Sequence, residues 1–224
     1  MIRPNLRAKL TAADLDLAIA LLGRGQDAGR RYYSDLAREE GPDRLLDQPD
    51  LALLLLEGPG VGQASGPLFF YVLVRHALRA SGIDDVKLSD YLGSLLLDFG
   101  IRDRAHRVSR HDDAIHRYVV DILQDLGTAD ERRSFLLLAH LGNYSLWLAG
   151  IFPDYIEARS GRNGGPDVSF YDRLGARGFS LAAGHGMARQ LDLDDVYGQA
   201  AEAYPRIRGV LNRLATQVFQ PRAA

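Results

Sequence analysis

Residues 134–152 read SFLLLAHLGNYSLWLAGIF, nineteen positions without an aspartate, glutamate, lysine or arginine. At about 1.5 Å per residue, a helix of that length nearly spans the hydrocarbon core of a bilayer. Such a segment is apolar on every face, so it must be enclosed, either by lipid or by other helices of the same protein. His140, Asn143 and several small polar residues interrupt the run, and no second comparable segment exists. Those features favour a buried central helix over a membrane span. The neighbours of a buried helix then need one apolar stripe each.

The sequence supplies such stripes. In VKLSDYLGSLLLDFG, Leu88, Tyr91, Leu92, Leu95, Leu96 and Phe99 recur at the helical period. DDAIHRYVVDILQDLG repeats the spacing with Ile115, Tyr118, Val119, Ile122, Leu123 and Leu126. Each predicted helix closes on a glycine, Gly100 or Gly127, where a left-handed cap is easiest to form. Further helices are predicted over 12–22 after the N-cap Thr11, and over 28–38, 67–81, 129–152, 168–190 and 193–219, the last kinked or split at Pro205. Strand-type alternation is absent. The expectation is an all-α protein, an irregular multi-helix bundle of about eight to ten helices. It is expected to form a single helical domain over 1–224, any subdivision falling near residue 160 in the loop-like SGRNGGP. The twin stripes share a spacing but not a sequence, so no repeat architecture is implied.

With 46% apolar residues in 224, the chain can bury a core without staples. It has no cysteine, which excludes disulfides, thiolate zinc sites and cysteine nucleophiles. The opening MIRPNLRAKLTAADLD lacks the apolar core of a secretory signal, so a cytoplasmic location is expected. Lysine plus arginine number 27 against 29 acids, leaving no general attraction to nucleic acid or anionic lipid. Neither nucleic acid nor membrane is an expected partner.

One stretch suggests a nucleotide turn: LALLLLEGPGVGQASG, residues 51–66. It comes close to the first motif of Rossmann-like methyltransferases, an acid, one residue, then G-x-G-x-G. Here Glu57 runs straight into Gly58, so the intervening residue is missing. No second strand follows within the span a nucleotide-binding βαβ unit needs, and there is no G-K-[ST]. The expectation is a hinge between two helices, the first capped by Asp47 and beginning near Pro49.

A second constellation lies in IRDRAHRVSRHDDAIHRY, residues 101–118. Imidazole and carboxylate three residues apart on a helix can share a divalent ion, as Asp103 with His106 and Asp113 with His116 would. The order His…His-Asp…Asp, with the doublet His111-Asp112, resembles the metal signature of HD-type phosphohydrolases. That resemblance implies a metal-dependent hydrolase holding Fe, Mn or Zn through His106, His111, Asp112 and His116. His76 would be the upstream histidine, with Asp154, Asp167 or Asp172 as the late acid. The family's apolar lead-in is missing, because Arg110 precedes the doublet. The alternative is structural: Ser109 caps a helix and Asp112 faces its first-turn amides. The arginines here alternate with acids, so their field is mixed.

The third constellation adds polar atoms to the apolar helix: His140, Asn143, Tyr144, the only tryptophan Trp147, and Tyr155 beyond it. Apolar walls with a few polar groups describe a small-ligand pocket as well as a satisfied core. The chain has no H-E-x-x-H, no E-x-x-H pair and no G-x-S-x-G elbow. Three functions are therefore expected, in descending order. The first is a binding, scaffold or regulatory module that acts through protein contacts, including a homodimer, with no cofactor. The second is the metal-dependent hydrolase, and the third a pocket protein for an apolar ligand.

Overall fold

The computed structural model describes residues 1–57, 62–101, 103–110 and 112–219. Among them are thirteen α-helices, ten of at least seven residues, and no strand; the protein is an all-α multi-helix bundle, 73% helical. Contacts divide the chain into two compact units. One is Pro4–Leu97, and the other is Asp98–Ala224 together with Met1–Arg3.

The first unit holds α1 (Ala12–Gly23), α2 (Asp27–Glu39), α3 (Pro42–Leu46), α4 (Leu51–Leu56), α5 (Gly66–Arg79) and most of α6 (Val86–Phe99). Thr11 starts α1 through a capping box: its hydroxyl accepts the Asp14 N–H at 3.3 Å, and Asp14 accepts the Thr11 N–H at 2.9 Å. Ser65 caps α5 by accepting the Leu68 N–H. The buried Asp90 carboxylate takes the N–H groups of Leu6 at 2.6 Å and Arg7 at 3.3 Å, so the stretch before α1 is tied to α6. Arg75, 4% exposed, bridges Asp47 at 3.0 Å and Asp84 at 2.6 Å. The chain before Gly58 is helix, as a bundle requires. Asp47 does not cap α4, however; it ends α3 and is held by Arg75, and α4 begins after Asp50. The glycine turn at 58–61 lies outside the described residues.

The second unit is built on α8 (Glu131–Ile151), around which lie α7 (Val119–Leu126), α9 (Pro153–Asn163), α10 (Val168–Gly184), α11 (Gly186–Gln190), α12 (Asp194–Glu202) and α13 (Tyr204–Phe219). α8 is long and apolar enough to cross a membrane, but 72% of its most apolar window is buried inside the protein. Helices α10, α13 and α7 cover it. Glycine permits the closest approach: a Cβ on Gly178 would stand 2.9 Å from the Gly142 nitrogen and the Leu138 oxygen of α8. Asp130 and Asp167 cap α8 and α10 by accepting the N–H groups of Arg133 and Phe170.

Three departures from the sequence pattern matter. The stripe from Ile115 to Leu126 is helical only from Val119, and Ile115 and Tyr118 are exposed. Specific polar contacts hold the preceding segment in a non-helical path. The His116 N–H donates to the His106 carbonyl at 2.7 Å, the Ala114 N–H to Asp112 at 3.1 Å, and the Arg107 guanidinium to the Asp112 carbonyl. Ser109 therefore starts no helix. Gly127 is not left-handed; it ends α7 at φ −65°. The predicted helix over 168–190 breaks at His185, whose Nδ1 accepts the Met187 N–H and caps α11. The split near Pro205 is present.

Candidate functional site

The end of α8 creates the site. Phe152 precedes Pro153, and a residue before proline is driven out of the helical region; Phe152 sits at φ −125°, ψ 51°, and α9 restarts at once in a new direction. Tyr155 and Arg159, one turn apart on α9, share a face. Tyr144 and Leu148, also one turn apart, present a face of α8, and Tyr171 comes from the first turn of α10. Together with Arg117, Tyr118, Val119 and Val120 at the start of α7, and Pro166, they line an open cavity of about 320 Å³. That volume lies at the lower end of small-molecule sites.

Hydrogen bonds fix its walls. The Tyr144 hydroxyl donates to the Arg117 carbonyl at 2.7 Å, which ties the extended segment before α7 to the central helix. The Tyr118 N–H donates to Asp121 at 2.9 Å. The Arg159 guanidinium lies over the Tyr118 ring, 5.0 Å from its centre, and reaches the Tyr155 hydroxyl at 3.5 Å. Burial pushes the phenols of Tyr144 and Tyr171 above their ordinary value, so both are neutral hydrogen-bond donors at neutral pH. Neither Arg117 nor Arg159 has a carboxylate partner among the described residues. By contrast, Arg104, Arg133 and Arg208 of the same unit pair with Asp98, with Asp112 and Asp125, and with Asp172.

Of the pocket residues expected from sequence, Tyr144 and Tyr155 line this cavity; His140, Asn143 and Trp147 do not. His140 and Asn143 face a seam with Phe99, Arg104 and Val108 that has no room for a water molecule. Trp147 packs against Phe99, Tyr144 and Phe152, with ring centres 5.8, 6.1 and 5.0 Å away. The cavity residues Arg117, Tyr118, Leu148, Arg159 and Tyr171 carry no local motif. The one-turn spacing of Tyr155 and Arg159 behind a proline is the nearest thing to a signal.

The histidine cluster is assembled differently from its sequence order. His116 is buried, with Nε2 3.0 Å from Asp125, and Arg133 bridges Asp125 to Asp112. The His116 ring lies 6.2 Å from His140, and both His140 and His106 pack near Tyr144, at 6.1 and 5.9 Å. His111 lies outside the described residues. Among the described residues, no three His, Asp or Glu side chains form a group able to hold a metal ion. The more distant candidates have other partners: His76 meets the Leu46 carbonyl at 2.8 Å, Asp167 caps α10, and Asp172 pairs with Arg208. No protein-family model, curated protein or solved structure gives a significant match to this chain.

Proposed function

We propose that this chain is a helical small-molecule-binding protein whose ligand occupies the cavity between α7, α8, α9 and α10. The supporting observation is the cavity itself, about 320 Å³ and walled mainly by tyrosine rings and aliphatic side chains. Apolar walls with a few fixed polar groups are the usual make-up of such sites. Titration with the neutral fluorophore N-phenyl-1-naphthylamine tests it, with the tyrosine-flanked Trp147 as an internal reporter. One saturable site is expected. Val120→Trp, at an exposed position on the rim, should abolish binding without lowering the melting temperature. Unsaturable binding, or full binding by Val120→Trp, would overturn the reading.

A second reading, contact with another protein or a second copy of this chain, is favoured by a separate feature. Val120 and Leu123 lie one turn apart on the outer face of α7 and, with Ile115 before it, expose large apolar side chains. Sedimentation velocity tests self-association: Leu123→Arg should shift a dimer to monomer, and an unshifted monomeric wild type refutes the dimer.

A further inference from the structure

We infer that the ligand of this cavity is an aryl carboxylate, a planar aromatic body bearing one carboxylate. The inference rests on the cavity being a ligand site, and it concerns the chemistry that site selects. Three observations converge on it. First, the guanidinium of Arg159, which lines the cavity, has no carboxylate partner among the described residues. It lies over the Tyr118 ring, 5.0 Å from its centre, and its single side-chain contact with a polar atom among the described residues is the Tyr155 hydroxyl at 3.5 Å. Second, Tyr171 is 6% exposed and its hydroxyl has no hydrogen-bond partner among the described residues, although it lines the cavity. Burial keeps that phenol protonated, so it donates. Third, no acid lines the cavity, and Asp121 beside it accepts the Tyr118 N–H.

A phenol donor in the cavity wall with no protein acceptor among the described residues, and a cation near it, suit an anion that accepts from both. A carboxylate has the two in-plane acceptors that a guanidinium edge matches, with lone pairs left for a phenol. The remainder of the wall is Tyr144, Leu148 and Val119, flat and aliphatic surfaces that suit an aromatic ring.

Isothermal titration of the full chain with 2-naphthoate and with its neutral counterpart 2-naphthalenemethanol tests this. On wild type, naphthoate should bind about tenfold or more tightly than the alcohol, the margin that charge-assisted hydrogen bonds supply. Arg159→Gln should reduce that ratio to about twofold or less while the alcohol's affinity stays unchanged, because only the charged contact is removed. Tyr171→Phe, which keeps the ring and deletes the donor, should weaken naphthoate alone. Arg117→Gln, at an exposed position, serves as a second charge deletion should Arg159→Gln unfold. Equal affinity for acid and alcohol, or an acid preference retained in both arginine variants, overturns the anion assignment and leaves the cavity as a neutral-ligand site. Decanoate binding more tightly than naphthoate overturns the aryl part. If neither naphthyl compound binds, the small-molecule reading itself fails.

Discussion

Alanine at Gly178 should destabilise the protein, whereas alanine at Gly198 should stabilise it. Both glycines lie inside helices, α10 and α12, so each replacement gains about 1 kcal/mol of helix propensity. At Gly198 a Cβ meets nothing within 4 Å, and the gain is realised in full. At Gly178 the same atom would stand 2.9 Å from the Gly142 nitrogen and the Leu138 oxygen. Both are backbone atoms of α8, so no side-chain rotation relieves the clash, and the two helices must separate. Overpacking costs about 1–3 kcal/mol, and with two backbone partners the upper end applies, leaving a net loss of about 2 kcal/mol. For a chain of this size each kcal/mol moves the melting temperature by about 2–4 °C. Thermal melts followed by far-UV circular dichroism should therefore show Gly178→Ala lower by about 4–8 °C and Gly198→Ala higher by about 2–4 °C. The effect reaches the cavity as well, because Tyr144 follows Gly142 on α8 and Tyr171 shares α10 with Gly178. Gly178→Ala should thus weaken naphthoate binding, and Gly198→Ala should not. A Gly178→Ala protein melting at or above wild type would refute the account of the α8–α10 seam.

Two further outcomes follow from buried charge. Burial, with help from His116 and Arg104, holds the His140 imidazole well below its ordinary value, and burial lowers His76 in the same direction. The unfolded chain protonates first as pH falls below about 6.5, so stability is complete above that pH and declines toward the lowered folded values, at up to about 1.4 kcal/mol per pH unit for each histidine. Urea midpoints should fall between about pH 7 and about pH 5, with a shallower slope in His140→Gln; an unchanged slope refutes the assignment. Arg75→Met strands the Asp47 carboxylate, which Arg75 and Arg79 hold below its ordinary range against the opposing effect of burial. Breaking a buried pair from one side costs about 3 kcal/mol, so the melting temperature should drop by about 6–12 °C; a drop of less than about 2 °C shows that Arg79 suffices for Asp47.

The all-α bundle was legible because its strongest signal has only one soluble solution. An uncharged run of nineteen residues needs enclosure, and Leu88, Tyr91, Leu92, Leu95 and Phe99 are all buried on α6 as a stripe requires. Caps were legible for the same local reason: Thr11 is followed three residues later by Asp14, and both hydrogen bonds of the box form. Short helices were not, since α3, α4 and α11 span six residues or fewer, less than two turns of any period. The non-helical path of 112–118 was not legible either. Its apolar spacing matches a helix, but the competing bonds come from His106 and Arg107 several residues back, and Asp112 is claimed by Arg133, twenty-one positions on.

That one failure of pattern and the candidate site coincide. Had the stripe been obeyed, Ile115 and Tyr118 would lie on the buried face of α7 and Tyr118 would not meet Arg159. Instead the Arg107, His116 and Ala114 contacts hold the segment out of the helix, Tyr144 fastens its end at the Arg117 carbonyl, and the exposed Tyr118 ring lies under the Arg159 guanidinium of α9. Local apolar preference is overridden by a set of polar bonds that adds no apolar burial at Ile115 or Tyr118, both of which are left exposed. Natural sequences break their own local rules chiefly where function requires it. Here the break accompanies a cavity whose lining holds two guanidiniums, Arg117 and Arg159, with no carboxylate partner among the described residues.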